Sequence, residues 1–178
     1  MKARGRRIAA ALFAVASLGL AGLSSSSCVG EAELEDFACP SHDVFVEAVS
    51  PYLERRCGTL DCHGQATRPM RIYGQFGLRH PDENNISGGA GSTTLERDAN
   101  WAAVCNVDPE PMQGVTEDRG LSADKLLLVN KARGLERHKG GKIVDEQDAG
   151  DRCILNWLRL LPADQVKTAC DSAIQPLK

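Results

Sequence analysis

Aromatic residues are scarce in this chain, since only eight of its 178 residues are Phe, Trp or Tyr. A core with so few rings must be largely aliphatic, and small exported domains with little apolar bulk often depend on disulfides. The chain carries seven cysteines, an odd number. The scarcity of aromatic residues therefore directs attention to cysteine.

Long apolar runs are also lacking, apart from one near the N-terminus. Residues 8 to 23 carry no charge and follow four basic residues, Lys2, Arg4, Arg6 and Arg7. A basic start followed by a short apolar run is typical of a secretion signal. The 16 residues of the run fall short of the roughly 20 that a membrane-spanning helix requires. We therefore predict a signal peptide over residues 1–27 and a protein of the cell envelope.

A cysteine follows this run after four serines. The arrangement resembles a bacterial lipobox, in which the cysteine thiol is acylated before cleavage, although Ser25 stands where such motifs usually carry leucine. The resemblance implies that Cys28 is lipidated and that residues 28–37 form a tether to the outer membrane, on its periplasmic side. Ordinary cleavage within the serine run is the alternative, and it would leave Cys28 as a spare thiol.

Positive charge is in deficit beyond the predicted signal. Residues 28 to 178 contain 17 basic and 24 acidic residues, a net charge of −7. An acidic surface argues against nucleic acid as a partner. The length suffices for one core but hardly for two, so we expect a single domain over residues 38–178.

Helical periodicity dominates this predicted domain. The clearest example precedes Pro162, where apolar residues recur at helical spacing: Ile154, Trp157, Leu158 and Leu161. Weaker patterns predict helices at 44–56, with a restart at Ser50, and at 95–104 and 122–131. Two segments rich in turn-forming residues, 77–93 and 106–120, predict loops. The expected fold class is mainly α, a small helical domain with long loops and disulfide support.

Cys57, Cys62 and His63 form the motif with the most specific chemistry. Haem c is attached at two cysteines, the second of which is followed directly by a histidine. The thiols add to the haem vinyl groups, and the histidine binds the iron. Four residues separate the cysteines here, whereas the usual spacing is two. The longer segment must bulge, and Gly58 permits such a turn.

Other interpretations of this motif stay open. The plainest is a disulfide between Cys57 and Cys62 beside an incidental histidine. Zinc is less favoured, because no second pair of Cys or His stands at ligand spacing to complete four ligands. A Cys–His nucleophile is less favoured still, since adjacent side chains point apart and an oxidising compartment consumes exposed thiols.

The motif is part of a longer family resemblance. The run 49–53, then Arg56-Cys57 and Cys62-His63-Gly64, resembles the opening of cytochrome c-like domains found in envelope proteins of planctomycetes and myxobacteria. Further likenesses follow in order at 70–74, 122–131, 138–141 and 156–158. The resemblance covers about residues 44 to 161. It departs from the family pattern in the Cys–Cys spacing and in four extra cysteines at 39, 105, 153 and 170.

This resemblance implies one covalent haem c, held by Cys57 and Cys62 with His63 on the iron. For the opposite side of the iron we favour His138, which lies in a glycine-containing turn, with Met112 as the alternative. The family resemblance also implies an exported electron carrier rather than an enzyme, with a redox protein as its partner. The alternative function is a haem-free, disulfide-stapled envelope lipoprotein with a binding or structural role.

The remaining cysteines are expected to form two disulfides, with three pairings possible. Cys39 with Cys170 would join the two ends of the domain. Cys105 with Cys153 would join a middle helix to the last one. We prefer this pairing on grounds of symmetry alone.

Overall fold

A computed structural model describes residues 38 to 177 of the chain. The predicted signal peptide over residues 1–27, the predicted lipidation site Cys28 and the tether over residues 28–37 lie outside the described residues.

Helices make up the regular structure of the described part. In chain order they are α1 His42–Val44, a π-helical turn Phe45–Val49, α2 Ser50–Arg56, α3 Thr94–Cys105, α4 Pro109–Glu117, a 3-10 turn Ala123–Lys125, α5 Leu127–Ala132, α6 Ala149–Leu158, α7 Ala163–Ile174 and a 3-10 turn Gln175–Leu177. Between residues 38 and 177 the only β pairing is a single bridge between Tyr73 and Leu78. No helix in this range is both long and apolar enough to cross a membrane. The prediction of a mainly α fold is confirmed.

The first helical segment runs from α1 to α2 without a break. The predicted restart is confirmed, because α2 begins at Ser50 and ends at Arg56, but the predicted capping role of Ser50 is wrong. Ser50 has helical backbone angles, and its N–H bonds to the carbonyl of Phe45, which closes the π turn. Its hydroxyl donates to Glu54 at 3.0 Å instead of capping a helix. Pro51 fits here because it occupies the first turn of α2, where its missing N–H is tolerated.

The last two helices form an antiparallel pair that carries much of the core. Helix α6 follows the pattern found in the sequence from its cap Asp148, but it ends at Leu158, so Leu161 lies beyond the helix. Trp157 on α6 is buried, packs against Phe45 at 5.1 Å between ring centroids, and donates from its indole N–H to the carbonyl of Ser41. Helix α7 was not predicted. It buries a narrow stripe of small residues, Val166, Ala169, Cys170 and Ala173.

The four extra cysteines form two disulfides, as expected, but the preferred pairing is wrong. Cys39 is bonded to Cys105, with 6.0 Å between the Cα atoms, and Cys153 is bonded to Cys170, with 4.5 Å. The first bridge ties the segment before α1 to the end of α3. The second bridge joins α6 to α7. This pairing could not be predicted without α7, because Cys170 lies on that helix.

Residues 106–120 are not a loop, contrary to the prediction. They contain α4, in which Pro109 and Pro111 fall in the first turn. Prolines cost little there, because the first N–H groups of a helix have no partner within the helix. The buried side chains of Met112 and Val115 attach α4 to the core.

Residues 77–93 do form a loop, as predicted, and a buried ion pair fixes it. Arg79 binds both carboxylate oxygens of Glu96, at 2.7 and 2.8 Å, and also donates to the carbonyls of Ala90 and Gly91. Glu96 is fully buried on α3. The ion pair therefore holds the loop against the helix that follows it.

Candidate functional site

A cavity of about 480 Å³ opens on the surface beside the Cys57–His63 segment. This cavity, here called the mouth, is lined by Asp61, Cys62, Arg68, Arg137 and Lys139, and an adjoining pocket of about 80 Å³, here called the inner pocket, is lined by Cys57, Leu127, Leu128, Ala132 and Ile143. Met70 and Val107 line both parts, as do His63 and His138. The volume is in the range of small-molecule and cofactor sites, about 300–1,000 Å³.

His63 stands on one wall of this cavity in a fixed orientation. Its ring Nδ1 lies 2.7 Å from the carbonyl oxygen of Met70, to which it donates. Its backbone N–H bonds to the carbonyl of Cys57, and its own carbonyl accepts from Ile72. These contacts leave Nε2 as the ring nitrogen that faces no other donor or acceptor in the described residues.

The protonation of His63 follows from its surroundings. Burial lowers the pKa of the imidazole below its usual value, and the nearby His138 and Arg68 lower it further, against the raising effect of the Met70 carbonyl. The ring is therefore neutral near pH 7, with a lone pair on Nε2. A neutral imidazole is the form that binds metal ions.

His138 belongs to the segment that follows α5, residues 133 to 143. Its Nδ1 lies 3.0 Å from the carbonyl oxygen of Gly141, again as a donor. The segment returns to α5 through Ile143, whose N–H bonds to the carbonyl of Ala132, and Arg56 donates to the Ile143 carbonyl at 2.8 Å. Gly141 has φ +70°, a conformation that favours glycine, so the turn depends on this residue.

The structure brings His63 and His138 together. Their ring centroids are 5.9 Å apart and their planes are 24° from parallel. Each ring has its Nδ1 bonded to a backbone carbonyl, so each offers Nε2 to a ligand. Metal-binding histidines usually donate their other ring nitrogen in this way, which fixes tautomer and orientation.

The two cysteines of the motif are not bonded to each other, although the other four described cysteines form disulfides. The Cys57 side chain reaches the inner pocket, and that of Cys62 reaches the mouth. Burial raises the pKa of the Cys57 thiol to about 12, and the neighbouring Cys62 adds to the rise. A thiol that stays protonated is a poor nucleophile, which weakens the interpretation of Cys57 as the nucleophile of a Cys–His pair.

Three glycines explain how the four-residue spacer folds. Gly64 and Gly77 pack so closely on Gly58 that a Cβ at either position would collide with the Gly58 carbonyl oxygen. A Cβ at Gly58 would come within 2.7 Å of the Glu54 carbonyl oxygen. Close backbone packing, more than a special turn conformation at Gly58, therefore shapes the segment that carries Cys57, Cys62 and His63.

Met112 does not approach this cavity. It lies on α4 with 1% of its surface exposed, packed in the hydrophobic core, and it is absent from the residues that line the mouth or the inner pocket. Of the two candidates for the distal ligand, the structure places His138, not Met112, beside His63. Sequence spacing could not reveal this, because it does not show that α4 turns Met112 inward.

Sequence reasoning also missed the charge around the mouth. Arg68, Arg137, Lys139 and Lys131 all line it. A cluster of basic residues at 131–142 is visible in the sequence, but its position beside Cys62 depends on the tertiary fold.

Among the described residues, no group of three or more His, Cys, Asp or Glu side chains is arranged to bind a metal ion. A metal ion held by these two histidines would therefore need most of its other ligands from outside the described residues. No protein-family model, curated protein or solved structure matches this chain.

Proposed function

We propose that this protein is an exported mono-haem c-type cytochrome that transfers electrons in the cell envelope. The observation that carries the proposal is the His63–His138 pair, two imidazoles that line one cavity and whose Nδ1 atoms are bonded to backbone carbonyls. The haem would be attached through Cys57 and Cys62, and its iron would be bound by His63 and His138.

The distance between the two rings, although not their stacked arrangement, suits a single iron between them. A metal–nitrogen bond of about 2 Å plus roughly 1 Å from the nitrogen to the ring centre puts the centroids of two opposed imidazoles about 6 Å apart. The observed separation is 5.9 Å. A bound haem would bring its own ring nitrogens and would need only His63 and His138 from the protein, which is compatible with the lack of a larger ligand cluster among the described residues.

The surroundings suit a flat apolar ligand. The inner pocket is lined by aliphatic side chains, among them Leu127, Leu128 and Ile143; Cys57 lines this pocket, and Cys62 lines the adjoining mouth. In an oxidising compartment, a pair of free thiols beside two disulfides calls for an explanation. Thioether bonds to haem would supply one, because they consume both thiols.

Each element of the chain has a definite task in this proposal. When bound, the haem iron takes up and releases one electron, and the protein provides ligation, burial and a docking surface. The Met70 and Gly141 carbonyls orient the two imidazoles. The aliphatic walls exclude water, which tunes the reduction potential through the local dielectric.

Location is a second part of the proposal. A signal peptide ending before Cys28, with lipid on that thiol, would anchor the protein on the periplasmic side of the outer membrane. Haem c attachment takes place outside the cytosol, as does disulfide formation, so leader, disulfides and motif agree on one compartment. The partner would be another redox protein.

Intact-mass measurement tests the attachment. The chain is expressed with a haem c maturation system, and the denatured protein should carry the mass of one haem. Cys57→Ala/Cys62→Ala should carry none, whereas the matched Cys153→Ala/Cys170→Ala, which breaks a disulfide, should retain it. A wild-type mass without haem would support the haem-free, disulfide-stapled alternative.

A further inference from the structure

The mouth of the cavity has a charge opposite to that of the chain. Residues 28 to 178 carry a net charge of −7. Yet four cations, Arg68, Lys131, Arg137 and Lys139, line the mouth, against one acid, Asp61. We call these four residues the cationic rim.

Intramolecular ion pairs leave most of this positive charge unneutralised. In the described part of the chain, no carboxylate lies within 4.0 Å of Arg68, Arg137 or Lys139, and Lys131 reaches Glu136 only at 3.9 Å. By contrast, Arg79 and Arg133 elsewhere are paired with Glu96 and Asp151 at 2.7 Å. Arg68 donates to the carbonyls of Asp61 and Cys62, and Lys131 donates to the carbonyl of Arg137. The exposed Arg137 and Lys139 are therefore the rim residues most available to another molecule.

Exposed apolar side chains lie on the same two segments that would supply the iron ligands. Leu60 is 53% exposed and sits between Cys57 and Cys62, next to Asp61 in the mouth. Leu135 is 69% exposed and lies in the segment that carries His138. Exposed leucines beside a ring of charge are typical of a protein contact surface with an apolar centre.

We propose that the cationic rim is the docking surface for an acidic protein partner, which the rim directs to the open edge of the cavity. This inference rests on the proposed electron-transfer function, because a partner that docks here would come close to the cofactor. A local positive field on an otherwise acidic protein restricts encounter to one face, since complementary patches set orientation and on-rate.

Poly-L-glutamate is the probe, titrated into the full chain and followed by calorimetry. Binding should be measurable near 10 mM ionic strength, where charges interact over about 30 Å, and should fall at least about tenfold near 150 mM, where that length is about 8 Å. Arg137→Glu/Lys139→Glu should weaken binding by at least about tenfold. The matched control Arg159→Glu/Lys167→Glu makes the same change in net charge at two residues that do not line the mouth, and it should change affinity less than about twofold.

Several outcomes would overturn the proposal. These are no binding by the wild type, equal losses in both double variants, or tighter binding to phosphatidylglycerol vesicles than to poly-L-glutamate, which would indicate a lipid surface. Should the double rim variant fail to fold, Lys139→Glu against Lys167→Glu makes the same comparison. The haem content of each sample is measured separately. A chain without haem would count against the proposed function, whereas the binding data would still show whether the cationic rim binds an acidic polymer.

Discussion

His63 and His138 lie with their ring centroids 5.9 Å apart, and each donates its Nδ1 proton to a backbone carbonyl. The two residues come from different parts of the chain. One follows the thiol pair directly, whereas the other sits in the segment after α5, held by Ala132 and Arg56. Two separate backbone arrangements thus present the same nitrogen, Nε2, to one cavity.

Replacing His138 should change the state of the iron without removing the haem. If His63 and His138 both bind the iron, as proposed, the wild type should be low-spin. His138→Ala should give a five-coordinate or water-bound, high-spin iron, while the thioether bonds to Cys57 and Cys62 persist. Visible absorption and electron paramagnetic resonance of the oxidised protein would record the change.

His42→Ala is the matched control for this experiment. His42 is bonded to Asp98 and lies edge-on to Trp101, away from the cavity. The low-spin spectrum should survive this substitution. If His138→Ala also keeps a low-spin spectrum, another residue is the distal ligand, and Met112→Ala would then be compared.

The backbone conformation of Gly141 should control the position of His138. It has φ +70°, and its carbonyl accepts the proton of His138 Nδ1. An alanine in this region costs roughly 1–2 kcal/mol, which the turn can relieve by moving His138. Gly141→Ala should therefore give a mixture of high-spin and low-spin iron in the oxidised spectrum.

Gly88→Ala serves as the control for Gly141→Ala. Gly88 has φ +80°, and a Cβ there meets no atom within 4 Å, as is also true at Gly141. The backbone strain is thus comparable, but the loop is a different one. A spectrum altered equally by both substitutions would show that the effect is a general loss of stability and not a displaced ligand.

The ion pair between Arg79 and Glu96 should make a large contribution to folding. The side chains are 6% and 0% exposed, and removing one partner of a buried pair typically costs about 3–5 kcal/mol. Arg79→Met should lower the free energy of unfolding by about that much, and urea denaturation measures it. The exposed Lys167–Asp171 pair is the comparison, since Lys167→Met should cost less than about 1 kcal/mol.

The same pair should shape the dependence of stability on pH. Burial alone would raise the pKa of Glu96, but Arg79 and the N–H groups of Thr93 and His80 hold that pKa below its ordinary value of 4.5. A carboxyl with a lowered pKa stabilises the fold above the unfolded pKa, and this stability is lost as the pH falls through the folded pKa. Glu96→Gln should thus reduce the loss of stability below pH 4.5. An unchanged slope would contradict this assignment.

Helices with a strong apolar stripe could be predicted from the sequence, and others could not. Helix α6 shows Ile154, Trp157 and Leu158 at helical spacing, and the structure confirms it. Helix α4 was hidden by Pro109 and Pro111, because prolines in a first turn resemble those of a loop. Helix α7 has only small apolar residues on its buried side, which give a weak signal.

Part of the candidate site could likewise be predicted from the sequence, and part of it could not. Cys57, Cys62 and His63 are adjacent in sequence, so their chemistry could be inferred directly. His138 could be suggested only through a family resemblance, and its proximity to His63 needed the tertiary fold. The disulfide pairing is a tertiary property too, since Cys153 and Cys170 meet only because α6 and α7 are antiparallel.

The two disulfides should differ in what their removal costs. A disulfide stabilises the fold by restricting the unfolded chain, and the effect grows with the length of the closed loop. Loss of the Cys39–Cys105 bridge, with a separation of 66 residues, should lower the free energy of unfolding by about 4 kcal/mol. Loss of the Cys153–Cys170 bridge, with a separation of 17 residues, should lower it by about 3 kcal/mol. Replacing each pair with alanines and measuring urea unfolding tests the order. Peptide mapping without reduction should find these two linkages. A Cys39–Cys170 linkage would contradict the structure.

The visible spectrum of the matured protein in alkaline pyridine tests the haem assignment most directly. Under these conditions pyridine replaces the axial ligands, so the band position reports whether the haem vinyl groups have become thioethers. The purified wild type should show the band of haem c with both vinyls saturated, at one haem per chain. Absence of a covalent haem band in a folded, disulfide-bonded sample would contradict the proposal that Cys57, Cys62 and His63 form a haem c site.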